Sequence, residues 1–134
     1  MIPSTNSILS TDLEVEIQPS KNYKMKIEHN VINGFCDELE AMVQVVYKIL
    51  NTERYQYIIY SWNYGIELID LYGEPVTYVC PELQRRIEEA LIQDDRIESV
   101  DNFEFDVSEK RTVKATFTVH TIFGDIEAEK VVNF

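Results

Sequence analysis

An α+β domain is what this sequence predicts, and three observations predict it. Two stretches repeat apolar residues at helical spacing. Several others alternate apolar and polar residues with period two. The last third of the chain is entirely of the second kind. The expected architecture is two helices packed on a mostly antiparallel sheet that ends in a C-terminal β-hairpin.

The elements follow in order. Residues 1–21 are polar, punctuated by Pro3 and Pro19, and read as an N-terminal arm before a single domain over 22–134. Within the arm, Leu13-Glu14-Val15-Glu16-Ile17 alternates and would pair as a strand if an edge were offered. Tyr23-Lys24-Met25-Lys26-Ile27-Glu28 alternates apolar and charged residues, as a half-buried strand does. His29-Asn30 is a turn, and Val31-Ile32 returns before Asn33-Gly34. Asp37 is an N-cap, with Glu40 placed for an acidic capping box. Leu39, Met42, Val43, Val46, Ile49 and Leu50 then predict a helix over 37–51. Tyr57-Ile58-Ile59-Tyr60 is a short β-prone run, and Ser61 to Gly65 a loop. Tyr72-Gly73-Glu74-Pro75 is a turn, and Pro81 fits the first position of a second helix reaching Gln93. Ile97–Val100, Phe103–Val107, Val113–Thr121 and Ile126–Val132 read as strands, with Phe123-Gly124-Asp125 turning the last two into a hairpin.

Composition removes several function classes. The chain has 134 residues, and 12 Lys+Arg against 24 Asp+Glu leave a net charge of −12. Nucleic-acid binders neutralise phosphates with clustered bases, so no nucleic-acid partner is expected. No stretch approaches the ~20 apolar residues of a membrane span, and the N-terminus lacks the basic and apolar regions of a secretion signal. Cys36 and Cys80 match no metal or redox spacing and read as reduced thiols of a protein made in a cytosol.

Catalytic patterns are weak. His29 and His120 lie near no nucleophile motif. Asp94-Asp95 and Asp101 lack the histidines or spacing of a metal site, and four glycines form no phosphate-binding loop. A cell-wall glycosidase needs two carboxyls across a cleft, one with raised pKa. Glu53 beside Arg54, or Glu67 near Trp62, offers candidates, but 24 acids make any such pair uninformative. An acidic nucleic-acid mimic is opposed by Arg85, Arg86 and Arg96, which interrupt its charge. No catalytic residue, metal or cofactor is assigned. A dense aromatic corner, Thr52 to Glu67, stands out instead, and aromatics are enriched at protein interfaces. Its candidate contacts are Glu53, Arg54, Tyr60, Trp62 and Tyr64.

At this corner the chain resembles a known family. Ile49-Leu50-Asn51-Thr52-Glu53-Arg54-Tyr55, Tyr60-Ser61-Trp62-Asn63-Tyr64-Gly65, Glu82-Leu83, Gln93-Asp94-Asp95-Arg96-Ile97 and His120 to Ile126 are similar to baseplate proteins of contractile tails. The likeness is to the branch found in myophage-like prophages and R-type bacteriocins of Gram-positive bacteria. That branch is related to the baseplate-wedge and sheath-initiator family, historically labelled tail lysozyme. The resemblance runs from about Tyr23 to Val132. It implies a structural, non-enzymatic subunit of a phage tail or tail-like particle, assembled in the host bacterial cytoplasm. It implies that six copies template the first sheath ring by strand addition. The implied partners are the tail sheath protein, the baseplate wedge scaffold and the tail tube or hub. The terminal hairpin would then bind sheath through Val113, Ala115, Phe117, Val119, Ile126, Ala128, Lys130 and Val132. The family often carries Glu-Pro-Arg after its second helix, where it docks on the wedge. Here the positions read Asp94-Asp95-Arg96, without the proline, and an internal salt bridge of Arg96 competes with docking.

Overall fold

The structure, a computed structural model, describes residues 19–133. The arm expected at 1–21, with its alternating patch at 13–17, lies outside the described residues up to residue 18. Strands β1 (Asn22–Lys26) and β2 (Val31–Cys36) form an antiparallel hairpin closed by a 3-10 turn, Ile27–His29. Helix α1 (Glu38–Leu50) follows, then a second 3-10 turn, Ile69–Leu71, and helix α2 (Val76–Ile92). Strands β3 (Ile97–Asp106), β4 (Thr112–Thr121) and β5 (Gly124–Asn133) make an antiparallel sheet in the order β3-β4-β5. The fold is α+β, as predicted. Its strands divide into two separate sheets.

Both helices pack on one face of the three-stranded sheet, α1 along β5 and α2 along β3 and β4. Period-two alternation sends Val113, Ala115, Phe117 and Val119 of β4 into that interface, with Ile97, Val100, Ile126 and Val132 beside them. Phe117 is buried and stacks on Phe103, ring centroids 5.3 Å apart. From the helices come Met42, Val46, Ile49 and Leu50 of α1 and Val79, Leu83, Ile87, Ala90 and Leu91 of α2. At roughly 1.5–3 kcal/mol for each large apolar side chain, this layer is what holds the helices to the sheet. The opposite face of the sheet carries Lys114, Thr116, Thr118 and His120 on β4 and Asp125, Glu127, Glu129 and Val131 on β5.

Four local expectations are corrected. The predicted start of the second helix at Pro81 is too late: α2 begins at Val76, with Pro75 at its N-cap and Pro81 inside. Pro81 cannot donate to the Thr77 carbonyl one turn earlier, but Thr77 is exposed, so water can serve it. Burial of Val79 and Leu83 on either side of the proline outweighs the lost bond. The β-prone run Tyr57–Tyr60 forms turns, with Tyr60 N donating to Tyr57 O at 3.3 Å. A strand needs a partner, and the bridge between Glu53 and Ile66 closes the loop below this run. Ile97–Val100 and Phe103–Val107 are one strand, β3, with irregularities between Ile97 and Ser99 and between Asp101 and Glu104. Asp37 does cap α1, its carboxylate accepting from Glu38 N at 2.7 Å, while Glu40 pairs with Lys24 of β1.

Candidate functional site

The strand order decides which backbone groups are available. β4 is central and bonded on both sides, so Val113, Ala115, Phe117 and Val119 have no free edge, and all four side chains are buried. The outer edge of β5 is unpaired among the described residues. Its register with β4 is unbroken from Thr121↔Gly124 to Thr112↔Asn133. In a two-residue hairpin the closing pair exchanges both hydrogen bonds, and such pairs recur at every second position. Gly124, Ile126, Ala128, Lys130 and Val132 therefore bond to β4. The residues between them, Asp125, Glu127, Glu129 and Val131, aim N–H and C=O outward. Of the predicted contacts Ile126, Ala128, Lys130 and Val132, the strand is the open edge, but the open groups belong to their neighbours.

An apolar stripe follows this edge. Leu39, Val43 and Tyr47 recur every four residues on α1, yet are 39%, 49% and 41% exposed. The sequence pattern places Leu39 and Val43 in the core; among the described residues the fold leaves them partly exposed. A Cβ on Gly124 would lie 3.7 Å from Leu39 Cδ1, and Lys130 Nζ reaches Asn51 Oδ1 at 3.4 Å. Leu39 to Asn51 rises about 18 Å as helix, and Gly124 to Lys130 about 20 Å as strand. The stripe and the edge thus run side by side for the same length. Between them lies an open groove lined by Val43, Tyr47, Leu50, Ile126 and Ala128 among others. Burial pushes the Lys130 ammonium down at its far end.

Of the other edges, the outer side of β2 is also unpaired among the described residues, while β3 and β1 are less open to pairing. β3 is bent by its two irregularities, which is how natural sheets blunt an edge. β1 is engaged by the side chain of Gln44, which donates to Tyr23 O at 2.7 Å and accepts from Met25 N at 2.9 Å.

The aromatic corner is a braced loop. Glu53 Oε1 accepts from Leu68 N at 2.9 Å and Ile69 N at 3.1 Å. Arg54 donates to Gly65 O at 3.0 Å and pairs with Glu89 at 2.9 Å. Gly65 has φ +88°, and a Cβ there would lie 2.5 Å from Thr52 O, so only glycine fits. Glu53 and Arg54 thus brace the loop from within. Above them Tyr60 stacks on Tyr64 at 4.5 Å, and burial pushes the Tyr64 phenol up, helped by Tyr60 and Asp94. Trp62 is 76% exposed, and Ile58 and Ile59, which the sequence pattern places in a strand, are fully or mostly exposed at the tip.

The loop and the segment after α2 come together. Asn63 Nδ2 donates to Gln93 Oε1 at 3.0 Å, and a shallow pocket joins Ser61, Asn63 and Tyr64 to Gln93 and Asp94. Arg96 is turned inward: its Nε and Nη2 donate to Asp94 at 2.9 and 2.7 Å, and Nη1 to Ser20 Oγ at 3.3 Å. Burial raises the Asp94 carboxyl, but hydrogen bonds from the Arg96 side chain and backbone outweigh it and leave it below the ordinary value. Asp95 alone of the three is exposed. On the open sheet face His120 bridges the strands, Nδ1 to Asp125 at 2.7 Å and Nε2 to Asp101 at 2.8 Å, and these bonds raise its pKa. Among the described residues no group of carboxylates, histidines and thiols could hold a metal ion. No helix among them is long and apolar enough to cross a membrane.

The chain is thus an α+β subunit whose outer β5 edge, unpaired among the described residues, lies beside an open groove. The chain matches the family described as contractile injection system sheath initiator over residues 12–124, and it belongs to that family. It is a structural protein of a contractile tail. Among named relatives it is 41% identical over 128 residues to the phage-like element PBSX protein XkdS of Bacillus subtilis (strain 168), covering 90% of each chain. That relative agrees with the prophage branch of Gram-positive bacteria that the sequence resembles.

Proposed function

We propose that this subunit sits in the baseplate and starts the first sheath ring by accepting a strand of the sheath protein on β5. The observation that carries the reading is the outer edge of β5 beside the exposed stripe Leu39, Val43 and Tyr47. Strand addition satisfies outward backbone groups and buries apolar side chains in one step. The braced loop with Ile58, Ile59 and Trp62 at its tip and the exposed Asp95 of the segment after α2 dock on the wedge scaffold, and Arg96 holds that segment in shape. Six copies surround the tube, which residues 1–21 contact, and the particle assembles in the host bacterial cytoplasm.

The role is non-enzymatic. A glycosidase acid needs a raised pKa. Among the described residues, the carboxyls displaced from their ordinary range, Asp70, Glu82, Asp94 and Asp106, all move down, through hydrogen bonds from Arg86, Arg85 and Arg96 and from Ser108.

The test is sheath-ring nucleation. The sheath protein of the same particle is mixed with the intact chain or with Val43→Asp, and rings are counted by electron microscopy. Val43 is half exposed, so the variant folds; its charge in the groove is expected to abolish nucleation. Undiminished nucleation by the folded variant would overturn the reading.

A further inference from the structure

The β5 edge has two chemically distinct flanks, and together they describe what it accepts. A residue placed opposite Asp125, Glu127 or Glu129 shares their side of the sheet, whereas one opposite Ile126 or Ala128 faces α1. The outer flank is acidic. Asp125 is held by His120 and Glu129 by Lys114 at 3.1 Å, but Glu127 has no cation partner among the described residues. Its neighbour across β4 is Thr118, which brings no charge. The inner flank is apolar, floored by Val43 and Tyr47.

Resting on the strand-addition reading, we infer that the partner segment is an alternating strand of about seven residues. Its inward residues are apolar, and its outward residues are lysine or arginine. The length follows from the stripe, which spans seven residues of β5 from Gly124 to Lys130. The charge follows from three carboxylates in a row on the outer flank of a chain with net charge −12. Cross-strand ion pairs are weak singly, a factor of about 1.5 to 5 each; with Glu127 unpaired and Asp125 and Glu129 already sharing a cation, a basic strand is separated from a neutral one by about 2- to 5-fold. At 1 M salt, where the screening length is ~3 Å, the preference is expected to shrink toward none.

The experiment titrates isotope-labelled full chain with three synthetic peptides. They alternate valine with lysine, with threonine or with glutamate, and backbone amide shifts in β5 are followed by NMR. The expected order is lysine, threonine, glutamate, about 2- to 5-fold apart, with the largest shifts at Asp125, Glu127, Glu129 and Val131. Glu127→Lys with Glu129→Lys, both at exposed positions, is expected to reverse the order. Equal affinity for all three peptides at β5 would overturn the charge inference and leave strand addition standing. No β5 shift with any peptide up to millimolar concentration would overturn both.

Discussion

Moving one proline by one residue along β5 is expected to exchange a binding defect for a folding defect. Glu127 aims its N–H away from β4, so Glu127→Pro removes no bond of the native ladder. Ile126 before it is already extended, as proline requires of its predecessor. The cost to folding is about 1 kcal/mol, from narrowing φ at an edge position where proline is tolerated. Ala128 instead forms a hydrogen-bonded pair with Phe117 in the middle of the ladder. Ala128→Pro removes that donor and strands the carbonyl of a buried residue, costing about 3 kcal/mol or more. Binding runs the other way. Glu127→Pro leaves a carbonyl of the incoming strand unpaired, worth about 1–3 kcal/mol, or about 5- to 150-fold in affinity. Urea denaturation followed by circular dichroism reads the first quantity, and biolayer interferometry with the sheath protein reads the second. Wild-type affinity in a folded Glu127→Pro variant would refute the assignment of outward amides. So would a stability loss in Glu127→Pro as large as that in Ala128→Pro.

Three further outcomes follow from the same structure. Phe117→Ala empties a fully buried site in the central strand and is expected to cost about 3–5 kcal/mol in urea unfolding. Arg96→Ala leaves the half-buried Asp94 without its partner and is expected to cost about 1–2 kcal/mol; a loss below about 0.5 kcal/mol would mean that water screens the pair. His120 is expected to stabilise the sheet most at acid pH. Its folded pKa is raised, so its contribution is fully present below the ordinary 6.5 and disappears as pH rises through the raised value. The stability gap between wild type and His120→Gln is therefore expected to narrow between pH 6 and 8, checked by urea midpoints; a gap that widens with pH would contradict the clasp.

Much of the fold was legible because local chemistry and tertiary packing agree. Asp37 caps the helix it heads, and the inward residues of β4 are the apolar ones of its alternation. Legibility failed where a distant partner decides. Tyr57–Tyr60 has strand propensity but no neighbouring strand, because the Glu53–Ile66 bridge closes the loop beneath it. Pro81 sits within a helix because Val79 and Leu83 pack on both sides of it. The open edge of the terminal sheet was half legible. Alternation identifies the terminal hairpin, but hydrogen-bond parity depends on the turn, and a slip of one residue exchanges inward and outward groups. The predicted turn at Phe123-Gly124-Asp125 lies one residue late, since β5 already begins at Gly124. The stripe on α1 was hidden for a different reason. Leu39, Val43 and Tyr47 keep helical spacing with the core residues, and only the folded arrangement shows that the described residues leave them partly exposed.

Residue-resolved hydrogen exchange of β5, with and without the sheath protein, tests strand addition at this edge. In the free chain the amides of Asp125, Glu127, Glu129 and Val131 are expected to exchange fast, while those of Ile126, Ala128, Lys130 and Val132 are slow. Bound sheath protein is expected to protect the first set and close the alternation. Tight binding that left the first set exchanging at its free rate would contradict strand addition at β5.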